Sequence, residues 1–131
     1  MKIDHIAIWS KDIEVLKDFY CTYFKAHPNQ KYENVQKQFQ SYFLSFDNES
    51  RLELMQMPEI ADNQNDTVRQ YTGFIHIAIA VENEQLVLEL TSRLKNDGYE
   101  VVSEPRRTGD GYFESCILDP DRNRVEIVAS K

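Results

Sequence analysis

Hydrophobic and polar positions alternate with a period of two in two stretches of the chain, and both stretches contain the string His-Ile-Ala-Ile. The first stretch is residues 3–9 and the second is residues 74–81. Alternate side chains of a β-strand point to opposite faces, so the isoleucines share one face and the histidine shares the other with small neighbours. The pattern predicts two equivalent strands, which place His5 and His76 on their less apolar faces.

A stretch with helical periodicity follows each predicted strand. Ser10 and Asp12 can cap the first helix, which should end near Phe24, and Gly98 follows the second helix, residues 83–97, as a left-handed C-terminal cap. Apolar side chains recur at helical spacing in both, which predicts one face of each helix packed on a sheet. They are Ile13, Leu16, Tyr20, Tyr23 and Phe24 in the first helix, and Leu86, Val87, Leu90 and Leu94 in the second.

Further strands are predicted after each helix. In the first half they cover residues 40–47 and 50–55 with a turn at Asp47-Asn48-Glu49, and the polar residues 25–38 before them are predicted as a loop with His27 on the surface. In the second half a strand at residues 99–103 precedes a loop at 104–111. A hairpin turning at Asp119-Pro120-Asp121 then leads into the last strand, residues 124–128.

The two halves correspond at a nearly constant spacing, as expected for a duplicated unit with small insertions. This predicts one domain of two repeats, residues 1–57 and 73–131, joined by a linker at 58–72. The spacing is 71 residues from His5 to His76, 70 from Tyr42-Phe43 to Tyr112-Phe113, and 73 from Arg51-Leu52-Glu53-Leu54 to Arg124-Val125-Glu126-Ile127.

Each half contributes one histidine from its first strand and one glutamate from its last strand, both on the side opposite the strongly apolar face. Singly, such residues are usually hydrogen-bonded or solvent-facing. Together His5, Glu53, His76 and Glu126 predict one divalent cation that accepts nitrogen and oxygen donors: zinc, nickel, cobalt, manganese or iron(II). Four side chains on an octahedral ion leave two positions for water or substrate.

Composition narrows the class of protein. The 131 residues are 41% hydrophobic and 28% charged, as in an ordinary globular domain, and the net charge of −7 argues against nucleic acid as a partner. There is no apolar run of membrane-spanning length, and the N-terminus enters a strand at once, so no membrane association is predicted and a cytoplasmic location is expected. Cys21 and Cys116 form no C-x-x-C pair and are predicted as core thiols.

These elements resemble the vicinal oxygen chelate superfamily, which includes glyoxalase I, bleomycin-resistance proteins and extradiol dioxygenases. The resemblance covers the whole chain and implies an α+β fold of two βαβββ modules whose curled mixed sheets form a half-open barrel. It rests on His5-Ile-Ala-Ile8, Arg51-Leu-Glu-Leu54, His76-Ile-Ala-Ile79 and Asp119-Pro-Asp-Arg-Asn-Arg-Val-Glu126, in which Arg122 stands where the family usually has glycine.

The order His, Glu, His, Glu looks like bacterial glyoxalase I, a lactoylglutathione lyase, and implies a metal-dependent lyase or isomerase acting on a small carbonyl compound or thiol adduct. By this resemblance Glu126 is the catalytic base and Glu53 its counterpart. Two alternatives stay open. One is a binding protein that sequesters a drug or metabolite, and the other is an iron(II) dioxygenase, which the fourth ligand disfavours.

Substrate contacts and assembly complete the predictions. Arg106 and Arg107 are candidates for binding the carboxylates of a thiol adduct, and Trp9 and Tyr112 for lining the cavity. A homodimer is expected from the resemblance and because sheets of about four strands leave free edges. The sequence leaves open whether the metal site forms within one chain or across two chains.

Overall fold

A computed structural model describes residues 1–47 and 50–130 of the protein. The predicted turn at residues 47–49 therefore falls mostly outside the described residues. By its internal contacts the chain divides into two compact units, Met1–Asn63 and Gln64–Lys131.

The first unit is a five-stranded mixed sheet with one helix. The sheet order is β1-β5-β4-β2, with β3 paired to β4, and β1 runs parallel to β5 while the other pairs are antiparallel. The elements are β1 (Ile6–Trp9), α1 (Ile13–Phe24), β2 (His27–Pro28), β3 (Tyr32–Asn34), β4 (Phe39–Ser45) and β5 (Arg51–Gln56).

The second unit repeats this topology, without an equivalent of β3 among its described residues. Its sheet order is β6-β9-β8-β7, with β6 parallel to β9, and among the described strands neither this sheet nor the first closes on itself. Two mixed-sheet modules with one helix each confirm the predicted α+β fold class. The elements are β6 (His76–Val81), α2 (Glu84–Asn96), β7 (Val101–Arg107), β8 (Phe113–Leu118) and β9 (Arg124–Ala129).

The first helix begins at the predicted cap Asp12, and the second is capped in the same way by Asn83, which was not predicted as a cap. The Asp12 carboxylate accepts the backbone N–H groups of residues 14 and 15, and the Asn83 side chain accepts that of residue 86. Gly98 follows α2 with φ 94°, in the left-handed region where glycine has no Cβ penalty. Neither helix in the described part of the chain is long and apolar enough to span a membrane.

Each helix packs on the apolar face of its own sheet. Leu54 in β5 and Ile127 in β9 are fully buried, and full burial of such a side chain contributes about 1.5–3 kcal/mol. Because side chains alternate, Glu53 and Glu126 project from the opposite face of the same strands. The predicted facial parity of the two glutamates is therefore confirmed.

Three local predictions are wrong. Residues 25–38 are not all loop, because β2 and β3 pair with β4 within them. The predicted loop at 104–111 begins later, since β7 extends to Arg107 at the edge of its sheet, where a proline such as Pro105 is tolerated. Phe43 lies across from Glu53, whereas Cys116 lies across from Glu126, so the apparent match between Tyr42-Phe43 and Tyr112-Phe113 is not a structural equivalence.

Candidate metal centre

A histidine and a glutamate lie side by side on the open face of the first sheet. His5 directly precedes β1, and its Nε2 atom is 3.5 Å from Oε2 of Glu53 in the neighbouring strand β5. The parallel pairing puts Ala7 across from Glu53, so the histidine two residues earlier projects from the same face. The Glu53 side chain is 15% exposed and the His5 side chain 36%.

The second sheet carries the corresponding pair. Nε2 of His76 is 3.2 Å from Oε2 of Glu126, with side-chain exposures of 37% and 21%. Ala78 lies across from Glu126, as Ala7 does from Glu53, so the same register produces both pairs. The structure thus brings together the predicted ligands of each half.

A tight turn between β8 and β9 sets the position of Glu126. The buried Asp119 carboxylate accepts the backbone N–H groups of Asp121 and Asn123 and the side-chain amide of Asn123. Arg122 adopts φ 66° in this turn, the left-handed conformation that glycine provides more easily. The turn therefore forms with arginine at this position and leads into β9 in register with β6.

The donor atoms of each pair have the spacing of two ligands on one ion. Donors about 2.1 Å from a metal are about 3.0 Å apart at a right angle and about 3.4 Å apart at the tetrahedral angle. The nitrogen–oxygen distance of 3.2 Å in the His76–Glu126 pair lies within this range, and that of 3.5 Å in the His5–Glu53 pair lies just above it. Within either unit, the described residues include no group of three His, Cys, Asp or Glu side chains placed to hold a metal. Each His–Glu pair therefore offers one nitrogen and one oxygen donor.

A second carboxylate supports the His5 ring. Asp4 Oδ2 lies 2.8 Å from His5 Nδ1 and also contacts the Arg51 guanidinium. These hydrogen bonds hold the pKa of Asp4 below its usual range, first through His5. An ionised carboxylate only accepts, so Nδ1 donates to Asp4, and Nε2 faces the Glu53 carboxylate. A proton on Nε2 or a metal cation would satisfy this second contact.

The electrostatic surroundings of Glu126 are mixed. Burial raises the pKa of its carboxyl group, and the negative charge of Glu114 adds to this effect, while His76, Arg106 and Arg124 oppose it. A carboxylate whose charged form is disfavoured accepts a proton more readily than an ordinary glutamate. The surroundings of Glu126 therefore suit a proton-transfer role.

The predicted substrate-binding residues take different positions. Trp9 is 41% exposed on the open face of the first sheet, in register with Met55. Arg106 pairs with Glu114 at 3.6 Å, and the strand register puts both on the same face as Glu126. Arg107, one residue on, points to the other face, where it contacts Glu84 at the start of α2. Tyr112 lies in the loop before β8, with its backbone N–H bonded to the Thr108 hydroxyl.

Two aromatic residues on the open face of the first sheet were missed by the sequence analysis. Phe39 stacks edge-on against Trp9, with ring centroids 6.1 Å apart, and Tyr32 lies 6.1 Å from Phe39. Alternation along β4 places Phe39 on the same face as Phe43, so the position of Phe39 could have been predicted from the sequence. Tyr32 had no such signal because β3 has only three residues.

The cysteines differ in position and burial. Cys116 is buried and lies across from Glu126 in the β8–β9 pair, and burial raises the pKa of its thiol. Cys21 lies on α1 and is only half-buried. The core-thiol prediction is therefore confirmed for Cys116 alone.

Comparison with known proteins identifies the family. The family model described as the Glyoxalase/Bleomycin resistance protein/Dioxygenase superfamily matches residues 2–127. The chain therefore belongs to this superfamily, as the sequence resemblance predicted.

Individual relatives are distant. An uncharacterized protein of Bacillus subtilis (strain 168), YqjT, is 37% identical over 60 residues, which cover 44% of this chain and 47% of that protein. The structure of glyoxalase I from Zea mays matches with a TM-score of 0.78 at 23% identity, over 97% of this chain and 44% of that one. The trypanothione-dependent glyoxalase I of Leishmania major matches with a TM-score of 0.76 at 20% identity, over 98% and 86%.

The matched region covers about half the length of YqjT, and the chain spans about half the length of the maize enzyme. At these identities the structural matches establish the fold.

Proposed function

We propose that the protein is a metal-dependent lyase or isomerase of glyoxalase type, which acts on the adduct of a small carbonyl compound and a thiol. The observation that carries this proposal is the presence of two repeat-equivalent His–Glu pairs, His5–Glu53 and His76–Glu126, with donor spacings that suit a metal ion. Membership of a superfamily that generally binds divalent metals supports it.

The four paired side chains would hold the ion, in one chain or across two. Two imidazole nitrogens and two carboxylate oxygens suit zinc, nickel, cobalt, manganese or iron(II). When bound, such a cation supplies a Lewis acid that polarises the substrate's oxygen atoms and stabilises negative charge on them. The second carboxylate distinguishes this donor set from the two-histidine, one-carboxylate set of iron(II) oxygenases.

Glu126 is the proposed base. In a hemithioacetal of methylglyoxal, it takes the proton from the carbon that carries sulfur and hydroxyl, and a proton returns to the adjacent carbon, which was the carbonyl. The hydroxyl proton of the first carbon is also lost, and the oxygen of the former carbonyl gains a proton. The first carbon thus becomes the thioester carbonyl and the second an alcohol carbon, so no external oxidant or reductant is needed. Desolvation of the Glu126 carboxyl favours proton acceptance.

Arg106 is the better placed of the two candidate arginines. It lies on the open face of its sheet with Glu126, whereas Arg107 is engaged by Glu84 on the helix side. Guanidinium groups bind carboxylates such as those of a thiol cofactor. Trp9 and Phe39 offer an apolar surface on the open face of the first sheet. We propose Arg106 and Trp9 as substrate contacts; the cytoplasmic location and the role of Tyr112 stay predictions.

The test is a turnover assay with methylglyoxal and several low-molecular-weight thiols, in which the absorbance of the thioester product is measured over time. Wild-type protein loaded with each metal should form the thioester, and chelator treatment should abolish it. Glu126→Gln should lower turnover by at least 100-fold. Glu104→Gln is the matched control, because Glu104 is an exposed carboxylate on β7 paired with Lys95 of α2.

Two results would contradict the proposal. Wild-type turnover in Glu126→Gln would remove that residue from the role of base. Protein that binds no metal and forms no thioester with any thiol would instead favour the alternative, a drug- or metabolite-sequestering protein.

A further inference from the structure

The two nitrogens of His5 face two different carboxylates. Nδ1 is 2.8 Å from Asp4 and Nε2 is 3.5 Å from Glu53. The tautomer of an imidazole is set by the hydrogen bond that its other nitrogen makes. A carboxylate at Nδ1 therefore selects the Nδ1–H form, which leaves the Nε2 lone pair directed at the Glu53 side.

Asp4 is itself held in place by a ring of side-chain contacts that returns to His5. The Arg51 guanidinium contacts Asp4 Oδ2 and lies over the Phe43 ring, 4.8 Å from its centroid. The Phe43 ring meets the His5 ring edge-on at 5.2 Å. Phe43 also lies directly across from Glu53 in the β4–β5 pair. This set of three residues, Asp4, Arg51 and Phe43, is the His5 support.

The described residues of the second half contain no counterpart of the His5 support. At the repeat spacing the residue before His76 is Ile75, which cannot accept a hydrogen bond through its side chain. Cys116 occupies the place of Phe43, and Arg124, which corresponds to Arg51, donates to the backbone carbonyl of Thr67 at 2.8 Å. Among the described side chains, the His76 ring therefore has Glu126 as its polar neighbour and lacks a second carboxylate.

We propose that Asp4, held by Arg51, is a positioning residue that fixes the Nδ1–H tautomer and ring orientation of His5, so that Nε2 is the metal-ligating nitrogen. This proposal rests on the proposed metal-dependent function. A carboxylate hydrogen-bonded to a metal-bound histidine fixes its tautomer and raises its basicity. The support makes His5–Glu53 the preoriented pair of the centre, whereas the His76 ring contacts Glu126 and has no comparable support among the described side chains.

The first experiment reads the tautomer directly by NMR on protein with 15N-labelled histidine. The chain has three histidines, His5, His27 and His76, so each signal can be assigned by substitution. In metal-free protein about two pH units above the usual imidazole pKa, His5 should be in the Nδ1–H form. Asp4→Ala should shift it towards Nε2–H, while Asp4→Asn, whose amide oxygen still accepts, should restore the Nδ1–H form.

Asp18→Ala is the matched control, since Asp18 is also an exposed carboxylate, lies on α1 and is paired with Lys17. It should leave the His5 signals unchanged. Unchanged His27 and His76 signals in Asp4→Ala show that the fold is intact. A His5 tautomer that stays Nδ1–H in Asp4→Ala would overturn the proposal.

The second experiment measures zinc affinity by competition with a chromophoric chelator. Asp4→Ala should weaken binding by 10- to 100-fold, and Asp4→Asn and Arg51→Gln by less. Asp4→Ala with wild-type affinity would overturn the positioning role. Wild-type protein without zinc affinity contradicts the proposed function, whereas an unchanged tautomer in a zinc-binding protein contradicts the Asp4 proposal alone.

Discussion

The Nε2 atom of His76 lies 3.2 Å from Oε2 of Glu126. The contact follows from the parallel pairing of β6 with β9, in which Ala78 is the register partner of Glu126 and His76 lies two residues earlier on the same face. The same geometry recurs for His5 and Glu53 in the first unit. Because the same register occurs in both units, each unit places one histidine and one glutamate side by side.

Loss of either histidine should remove most of the stabilisation by metal. Zinc at 100 times its dissociation constant raises the free energy of unfolding by about 2.7 kcal/mol. If the site binds zinc 100-fold more weakly, the same zinc concentration raises it by only about 0.4 kcal/mol. We expect His5→Ala and His76→Ala to show the smaller value in urea melts with and without zinc. His27→Ala, which removes an exposed histidine on β2, should behave as wild type. Equal stabilisation in all three variants would exclude both histidines as ligands.

A charged cluster at the start of α1 should make the free energy of unfolding depend on pH. Glu14 contacts Lys17, Lys31 and the Tyr42 hydroxyl, and these hydrogen bonds lower its pKa from 4.5 to about 2. Its stabilising contribution is thus complete above pH 4.5 and lost as the pH falls towards 2. Because Glu14 is half-exposed, we expect Glu14→Gln to cost about 0.5–1 kcal/mol at pH 7. Urea melts should show that the difference closes below pH 4.5, and a constant difference down to pH 2 would contradict this prediction.

A buried hydroxyl pair connects α2 to its sheet. Thr91 Oγ1 lies 2.7 Å from Ser115 Oγ and donates to the Val87 carbonyl at 2.6 Å. Thr91→Val leaves the Ser115 hydroxyl without this acceptor and should cost about 1–3 kcal/mol in the free energy of unfolding. Adding Ser115→Ala should recover part of this loss. Additive losses in the double variant, measured by urea unfolding, would show that the hydroxyls are not coupled.

Several features of the fold and site could be predicted because they depend on local rules. Period-two alternation fixed the faces of Glu53 and Glu126, and Asp12 signalled the start of α1. The strands β2 and β3 could not be predicted, since two or three residues are too short to show a period. Pro105 concealed the extension of β7 to Arg107, because proline usually argues against a strand but is tolerated at a sheet edge. The hydrogen bond from His5 to Asp4 depends on side-chain direction, which residue spacing does not reveal.

We expect a homodimer, and complementation can locate the site in it. If the site forms across two chains, mixing His5→Ala/Glu53→Ala with His76→Ala/Glu126→Ala protein should restore about one intact site per heterodimer. If the site forms within one chain, the mixture stays inactive. Light scattering at micromolar concentration measures the assembly, and a monomer with full metal content would contradict the dimer prediction.

The central claim is that two His–Glu pairs together hold one cation. Elemental analysis of purified, metal-loaded protein measures the number of ions per chain, and this number is the same whether the site forms within one chain or across two. We predict one ion per chain, and a loss of most of it in both Glu53→Ala and Glu126→Ala. Two ions per chain, each removed by only one of these substitutions, would mean that the pairs bind separately and would contradict the claim, as would protein that retains no metal after loading.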